Sequence, residues 1–174
     1  MQANEWGPSA WKFLHSVTFS YPQDPDEDMK KHFKDLFSNL RYTLPCSFCR
    51  NYYSQIFKYI CIDPYMESRE GLTFWLFIVH NLVNRKLDRD LANFEDIVLQ
   101  YENYRARCGS MNDIQKYTKC KITVKDLTCN DIESNVLLTY SKYKEISKEQ
   151  IVNFYKSEQI IDNHFIKCSL NSKK

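Results

Sequence analysis

The sequence predicts an all-α protein, a compact antiparallel bundle of four or five amphipathic helices followed by a small C-terminal appendage. Apolar residues recur at intervals of three and four along the first hundred positions, turn-forming prolines punctuate those runs, and only 3 glycines occur in 174 residues. A chain of this length, 43% hydrophobic, makes one ordinary domain with a real core.

Pro8 stands in the first turn of SAWKFLHSVTFSY, where its missing N–H costs nothing, and Tyr21-Pro22 ends this first helix. From Asp26 to Tyr42, apolar residues at 29, 33, 36, 37 and 40 share one side and charges the other, which predicts a second. Pro45 opens a third, from about Cys46 to Tyr59, along which Phe48, Tyr52, Ile56 and Tyr59 recur. A fourth runs from about Arg69 to Lys86 and carries Leu72, Trp75, Leu76, Val79, Leu82 and Val83. Asn93 caps a fifth, Phe94 to Arg107, ended by Cys108-Gly109. Short connections between such helices make sequential neighbours antiparallel. Beyond Gly109 the character changes: residues 110–174 contain no Trp, CKITVKDLTC reads as extended or loop, and weaker helical patterns follow at 131–144 and 147–157. The expected division is therefore 1–109 and 110–174.

The formal net charge is +2, from 24 basic and 22 acidic residues that are interspersed, so nucleic acid is not an expected partner. The start, MQANEWGPSAW, lacks the pattern of a secretory leader, and the apolar stretch LTFWLFIVHNLV is shorter than the roughly 18 residues a membrane span needs. A soluble, cytosolic protein is expected. Seven cysteines, at 46, 49, 61, 108, 120, 129 and 168, are too sparse and uneven for a disulfide-stapled miniature fold.

The stretch LPCSFCRNYY holds two of them as C-x-x-C. That spacing serves half of a zinc site, a redox-active dithiol, or two thiols sharing a helix turn by chance. Zinc needs a second ligand pair, and the four histidines, at 15, 32, 80 and 164, are isolated from one another, so no metal is expected. A thioredoxin-like site needs a βαβ setting that is absent here. A dithiol at a helix start remains, where the dipole and the unpaired N–H groups stabilise a thiolate. Trp11 and His15 share one face of the first helix, and His80 and Asn84 one face of the fourth, with Trp75 and Val79 as an apolar stripe beside them. A single His on an apolar face is ordinarily a satisfied core residue. Two such faces near a C-x-x-C fit a planar redox cofactor that stacks on Trp rings and takes hydrogen bonds from imidazole and amide groups.

W-G-P-S-A-W-K-F-L-H at 6–15, Y-P at 21–22, L-P-C-S-F-C at 44–49 and F-W-L-F-I-V-H-N-L-V-N-R-K-L at 74–87 resemble, in order and spacing, the signatures of the Erv/ALR family of flavin-dependent sulfhydryl oxidases. The resemblance implies a four-helix bundle with a short fifth helix enclosing FAD, usually a homodimer, that makes disulfides in a dithiol protein and passes the electrons to molecular oxygen as hydrogen peroxide. It implies that Gly7, Trp11, His15 and Tyr21 line the cofactor pocket. His80, Asn81, Val83, Asn84, Lys86 and Leu87 match H-N-x-V-N-x-K-L, with His80, Asn84 and Lys86 placed on the FAD. Arg89 supplies a phosphate contact where many members have lysine, and Tyr101 or Tyr104 a further aromatic. The catalytic pair is Cys46 and Cys49: a thiolate attacks Cys46, exposed at the helix start, and Cys49, nearer the isoalloxazine, resolves the mixed disulfide and hands two electrons to FAD.

Members often carry a shuttle disulfide on a mobile tail, for which Cys108, Cys120 and Cys129 are the candidates; Cys61 and Cys168 are less suited. Many cellular members also bracket the H-N-x-V-N helix with a structural cysteine pair, and here Phe77 and the stretch around Phe94 stand in those places. Short members encoded by large cytoplasmic DNA viruses lack that bridge too, and this Lys-, Asn- and Ile-rich chain resembles them. The expected setting is the cytoplasm of a host cell, with packaging in the virion open, and the expected partner a thioredoxin-like or virion dithiol protein. Two other readings stay open: a redox-inactive helical binding or structural virion module, and a flavin-free dithiol oxidoreductase.

Overall fold

The computed structural model describes residues 2–105, 143 and 145–157, and every regular element in them is helical. In order these are α1 (Ala3–Ser20), α2 (Glu27–Thr43), α3 (Ser47–Tyr59), a 3-10 turn (Asp63–Tyr65), α4 (Arg69–Lys86) and α5 (Phe94–Arg105), then helical residues 145–157. The expected all-α class is borne out. The extended reading of CKITVKDLTC, the helical pattern at 131–142, and Cys108, Cys120, Cys129 and Cys168 lie outside the described residues.

Local chemistry sets the boundaries. The Asp26 carboxylate accepts the Met29 N–H at 2.8 Å, and Ser68 does the same for Gly71 at 3.1 Å, so α2 and α4 begin on side-chain caps. Asn93 caps α5 by accepting from the Glu95 N–H at 2.8 Å. α1 starts earlier than Pro8 implies, at Ala3, with Pro8 inside it. A proline one turn further in removes a single i→i−4 bond, and the added turn is tied down by the Arg89 guanidinium, which donates to Asn4 Oδ1 at 2.6 Å.

α4 is the centre. From Gly71 to Leu82 every residue except His80 is buried, and Leu72, Trp75, Leu76, Ile78, Val79 and Leu82 are fully so. α1 packs along α4, α2 along α3, α5 along α1, and the 3-10 turn against α4. The Trp75 indole N–H donates to the Ile60 carbonyl at 3.0 Å, its ring meeting Phe37 and Phe57 edge-on. The Phe77 and Phe94 rings lie 5.2 Å apart, an apolar contact between α4 and α5 at the positions noted above for the missing cysteine bridge.

The helix at 145–157 is part of this same core. Ser147, Ile151 and Phe154 are fully buried, and Phe154 lies edge-on to Tyr52 and to Tyr59. Tyr143 stacks on Tyr65 at 5.4 Å, whose hydroxyl donates to Gln150 at 3.1 Å. The core thus includes residues on both sides of position 109.

Gly71 makes this contact feasible. A Cβ there would collide with the Tyr65 carbonyl oxygen and stand 2.7 Å from the Tyr143 hydroxyl. Gly71→Ala is expected to destabilise the protein by about 1–3 kcal/mol through overpacking, although alanine is the better helix former by roughly 1 kcal/mol. Thermal unfolding followed by circular dichroism measures it, and an unchanged or raised melting temperature would contradict the seating of Tyr143 on α4.

Candidate active site

The chain bends at Leu44 and Pro45 between α2 and α3, and the C-x-x-C meets the helix start with Cys46 at the N-cap and Cys49 in the first turn. The Cys46 sulfur accepts the Cys49 backbone N–H at 3.2 Å, filling a capping role usually given to Ser or Asp. Both thiols are free and half-buried, so Cys46 is less open than the sequence reading has it. Their acidities diverge. The Cys49 thiol, and then the Cys49 N–H, hold Cys46 below the usual thiol value. Burial, followed by the hydrogen bond and charge of Cys46, pushes Cys49 up to about 11. The first proton to leave the reduced pair comes from Cys46.

A second cluster joins α1, α4 and α5. His15 Nε2 and His80 Nδ1 share a hydrogen bond of 3.0 Å. Trp11 stacks on His80 at 4.0 Å with 13° between the planes, and Tyr101 closes the other side, 5.2 Å from His15 and 5.3 Å from Phe19. Burial and the neighbouring His80 lower the His15 pKa to about 3, while burial and the Arg89 charge lower that of His80 to about 4. Both imidazoles are therefore neutral at pH 7, and one donates to the other. His15 is 2% exposed, yet its Nδ1 has no hydrogen-bond partner among the described residues. An orphaned buried nitrogen costs about 1–3 kcal/mol. Set among flat aromatic walls, it fits a heteroaromatic ligand bearing polar ring atoms.

The remaining expected residues divide into those near this cluster and those with other work. The sequence placed Trp75 beside His80, but five residues along a helix turn the side chain by about 140°, and Trp75 points into the α2–α3 core instead. Tyr21 is fully buried. Its hydroxyl donates to the Met66 carbonyl at 2.8 Å and its ring leans on Phe33. Asn81 holds Ala92 from both sides: its amide donates to the Ala92 carbonyl at 3.1 Å and accepts the Ala92 N–H at 2.8 Å. Asn84 donates to the Asp90 carbonyl at 3.2 Å. The two asparagines thus clamp the loop after α4.

That loop leaves the helix through the left-handed region at Asp88, φ 52°. The Asp88 N–H bonds the Arg85 carbonyl and the Arg89 N–H the Asn84 carbonyl, which is the Schellman pattern. Lys86 and Arg89 are exposed at this turn, and Val83 is half-buried. Tyr104 is exposed, with the Lys12 ammonium 5.7 Å from its ring centre. Among the described residues a Cβ on Gly7 would meet nothing within 4 Å.

Tyr52 is the residue that sequence reasoning did not assign to the site. It lies one turn beyond Cys49, its hydroxyl donates to the Leu82 carbonyl at 3.2 Å, and the Lys86 ammonium sits 5.2 Å from its ring centre. The C-x-x-C helix is thereby tied to the stretch of α4 that carries His80 and Asn84. The only signal for it in the sequence was its place three residues after Cys49, on the same helix face. Cys61 is exposed and donates to Asp63 at 3.2 Å, apart from both clusters. Among the described residues no group of three or more His, Cys, Asp or Glu is placed to hold a metal ion, and no helix is long and apolar enough to cross a membrane.

Sequence and fold comparisons establish the family. The sequence model of the Erv1 / Alr family matches residues 8–103, and the chain belongs to that family. The probable FAD-linked sulfhydryl oxidase of Acanthamoeba polyphaga mimivirus is 34% identical over 99 residues, which cover 56% of this chain and 69% of that protein. The mitochondrial FAD-linked sulfhydryl oxidase of Saccharomyces cerevisiae is 39% identical over 82 residues, 47% of this chain and 42% of that one. Among solved structures, the FAD binding domain of Erv1 from Saccharomyces cerevisiae superposes with a TM-score of 0.56 at 29% identity, covering 59% of this chain and 96% of that one.

The acidity split predicts an order of modification. In the reduced protein, iodoacetamide at neutral pH should label Cys46 well before Cys49, with Cys49 reacting readily only as the pH nears its pKa of about 11. Peptide mapping over a pH series reads this directly, and simultaneous labelling would refute it.

The histidines predict an acid limb. Below the ordinary value of 6.5 the unfolded chain protonates both, while the folded chain resists until about 4 at His80 and about 3 at His15. The unfolded state then binds more protons, so the stability from these groups is full above pH 6.5 and is lost as the pH falls toward 3. Melting temperatures at pH 7 and pH 5 should show a smaller drop for His80→Phe than for the native protein; an equal drop would acquit the pair.

Proposed function

We propose that this protein is an FAD-linked thiol oxidase, which makes disulfides in a dithiol protein substrate through Cys46 and Cys49 and delivers the electrons to oxygen, giving hydrogen peroxide. The observation that carries the reading is the Tyr52 tie, which seats the C-x-x-C helix against the same length of α4 that bears His80. Names of the relatives support it, each being an FAD-linked sulfhydryl oxidase. FAD suits the pocket residues: Trp11, His80 and Tyr101 offer rings for stacking, His15 Nδ1 offers a buried polar partner, and Lys86 and Arg89 offer cations for phosphates at the rim.

The thiol chemistry follows from the pair itself. In the oxidised protein a substrate thiolate attacks Cys46 Sγ, the Cys46–Cys49 bond breaks, and Cys49 leaves with the electron pair. A second substrate thiolate, rather than Cys49 as the sequence reading has it, then attacks the substrate sulfur of the mixed disulfide and releases Cys46 as a thiolate, because attack by Cys49 would only re-form the Cys46–Cys49 bond. The substrate has lost two electrons, and the cysteine pair holds them. Cys49 has the higher pKa, so its thiolate is the stronger nucleophile for passing them inward. FAD, when bound, supplies the two-electron acceptor and the link to oxygen.

We place the enzyme in the cytoplasm of a host cell, as a virus-encoded homodimer whose substrate is a thioredoxin-like or virion protein; similarity to the mimivirus protein supports the viral setting. The oxidase domain is assigned to 1–109, with 110–174 as its extension and Cys108, Cys120 and Cys129 as candidates for a shuttle.

Purified protein should be yellow or take up added FAD, and should consume oxygen with dithiothreitol. Cys49→Ser should retain FAD and the native melting temperature but lose dithiol-driven flavin reduction by a factor on the order of 10³ or more. A colourless protein that ignores FAD, or a Cys49→Ser variant with native turnover, would overturn the assignment.

A further inference from the structure

We infer that the helix at 145–157 is a positioning element of the redox centre, holding α3, which carries the C-x-x-C, in place against α4, which carries His80. The inference rests on the proposed oxidase reading for its flavin readouts and on packing alone for the rest. α3 and α4 are not a closely packed backbone pair: α3 packs along α2, and α4 along α1 and the 3-10 turn. What joins them is side chains, above all Tyr52 donating to Leu82 and Phe57 set against Trp75.

The 145–157 helix braces that junction from both sides. Phe154, fully buried, meets Tyr52 and Tyr59 edge-on at 6.1 Å each. Cys49, Tyr52, Ile56 and Tyr59 follow one another at three- and four-residue steps, so the stripe of α3 that Phe154 presses begins at Cys49. The next residue, Tyr155, takes the Arg85 guanidinium of α4 at 5.5 Å from its ring centre. At the other end Gln150 donates to the Cys61 carbonyl just beyond α3 at 3.3 Å and accepts from Tyr65. This helix lies beyond the residues that the family model matches, 8–103, so the brace belongs to this chain's own extension.

Electron passage from sulfur to a flavin depends on alignment, and a misplacement of about 1 Å costs on the order of 10²-fold in rate. Loss of the Phe154 ring frees Tyr52 and, with it, the first turn of α3. The full chain loaded with FAD should therefore show, for Phe154→Ala, anaerobic bleaching of the flavin by dithiothreitol slowed by about tenfold or more, and for Phe154→Leu a smaller slowing. FAD content, and the rate at which oxygen reoxidises flavin reduced with dithionite, should stay within about twofold of native, since the stacking and polar residues offered to FAD lie on α1, α4 and α5 and reoxidation uses no thiol. In the cofactor-free protein the amides of residues 49–53 should exchange with solvent faster in both variants than in the native chain.

Native bleaching rates in both variants would overturn the inference, as would equal slowing of bleaching and reoxidation, which marks general loosening. Should Phe154→Ala fail to fold, Phe154→Leu decides by the same comparison. Should the native chain take up no FAD, the oxidase reading fails, and hydrogen exchange alone decides whether the helix braces α3.

Discussion

A helix with no polar face has to be surrounded, and α4 is such a helix: between Gly71 and Leu82 only His80 escapes burial. The other elements are arranged by this demand. α1 and the 3-10 turn lie along it, α2 and α3 reach it through Phe37, Phe57 and Trp75, and α5 through Phe94. Tyr143 covers the remaining stretch near Gly71, where the absence of a side chain leaves room for the ring. Hydrophobic burial on this scale is non-directional, so direction comes from the few polar ties that cross it, such as Trp75 to Ile60 and Tyr21 to Met66.

His80 is half-open for a reason that belongs to the site. Its imidazole bonds His15 and stacks on Trp11 at the surface of an otherwise sealed helix, with Arg89 close enough to depress its basicity. The result is a neutral, preorganised wall with one nitrogen, His15 Nδ1, unsatisfied among the described residues. A water-exposed imidazole pair would titrate near neutrality; burial removes that dependence from the working range.

The thiol pair shows the complementary economy. The Cys49 thiol, and then the Cys49 N–H that also caps α3, lower the pKa of Cys46, while burial raises that of Cys49. Two chemically identical side chains thus acquire different roles from a helix start and one turn of burial. Tyr52 then converts local order into long-range order by fastening that turn to α4.

Helix existence and the limits of α2, α3 and α4 were legible in the sequence because caps, prolines and apolar spacing act over a few residues, as Asp26, Pro45 and Ser68 illustrate. The C-x-x-C at a helix start and the sharing of faces by Trp11 with His15 were legible for the same reason. Three matters were decided only in the tertiary structure. Trp75 belongs to the core and not to the His80 face, since spacing tells which side chains share a face but not which face meets which partner. Asn81 and Asn84 clamp a loop through carbonyls that only the folded backbone brings within reach. Phe154 meets Tyr52 and Tyr59, about a hundred positions earlier in the chain, and contact at such separation leaves no periodic trace in either segment. The sequence by itself determined the helices and the chemistry each could offer; the tertiary structure decided their assembly, because burial and hydrogen bonding between distant residues depend on the whole packed arrangement rather than on any local run.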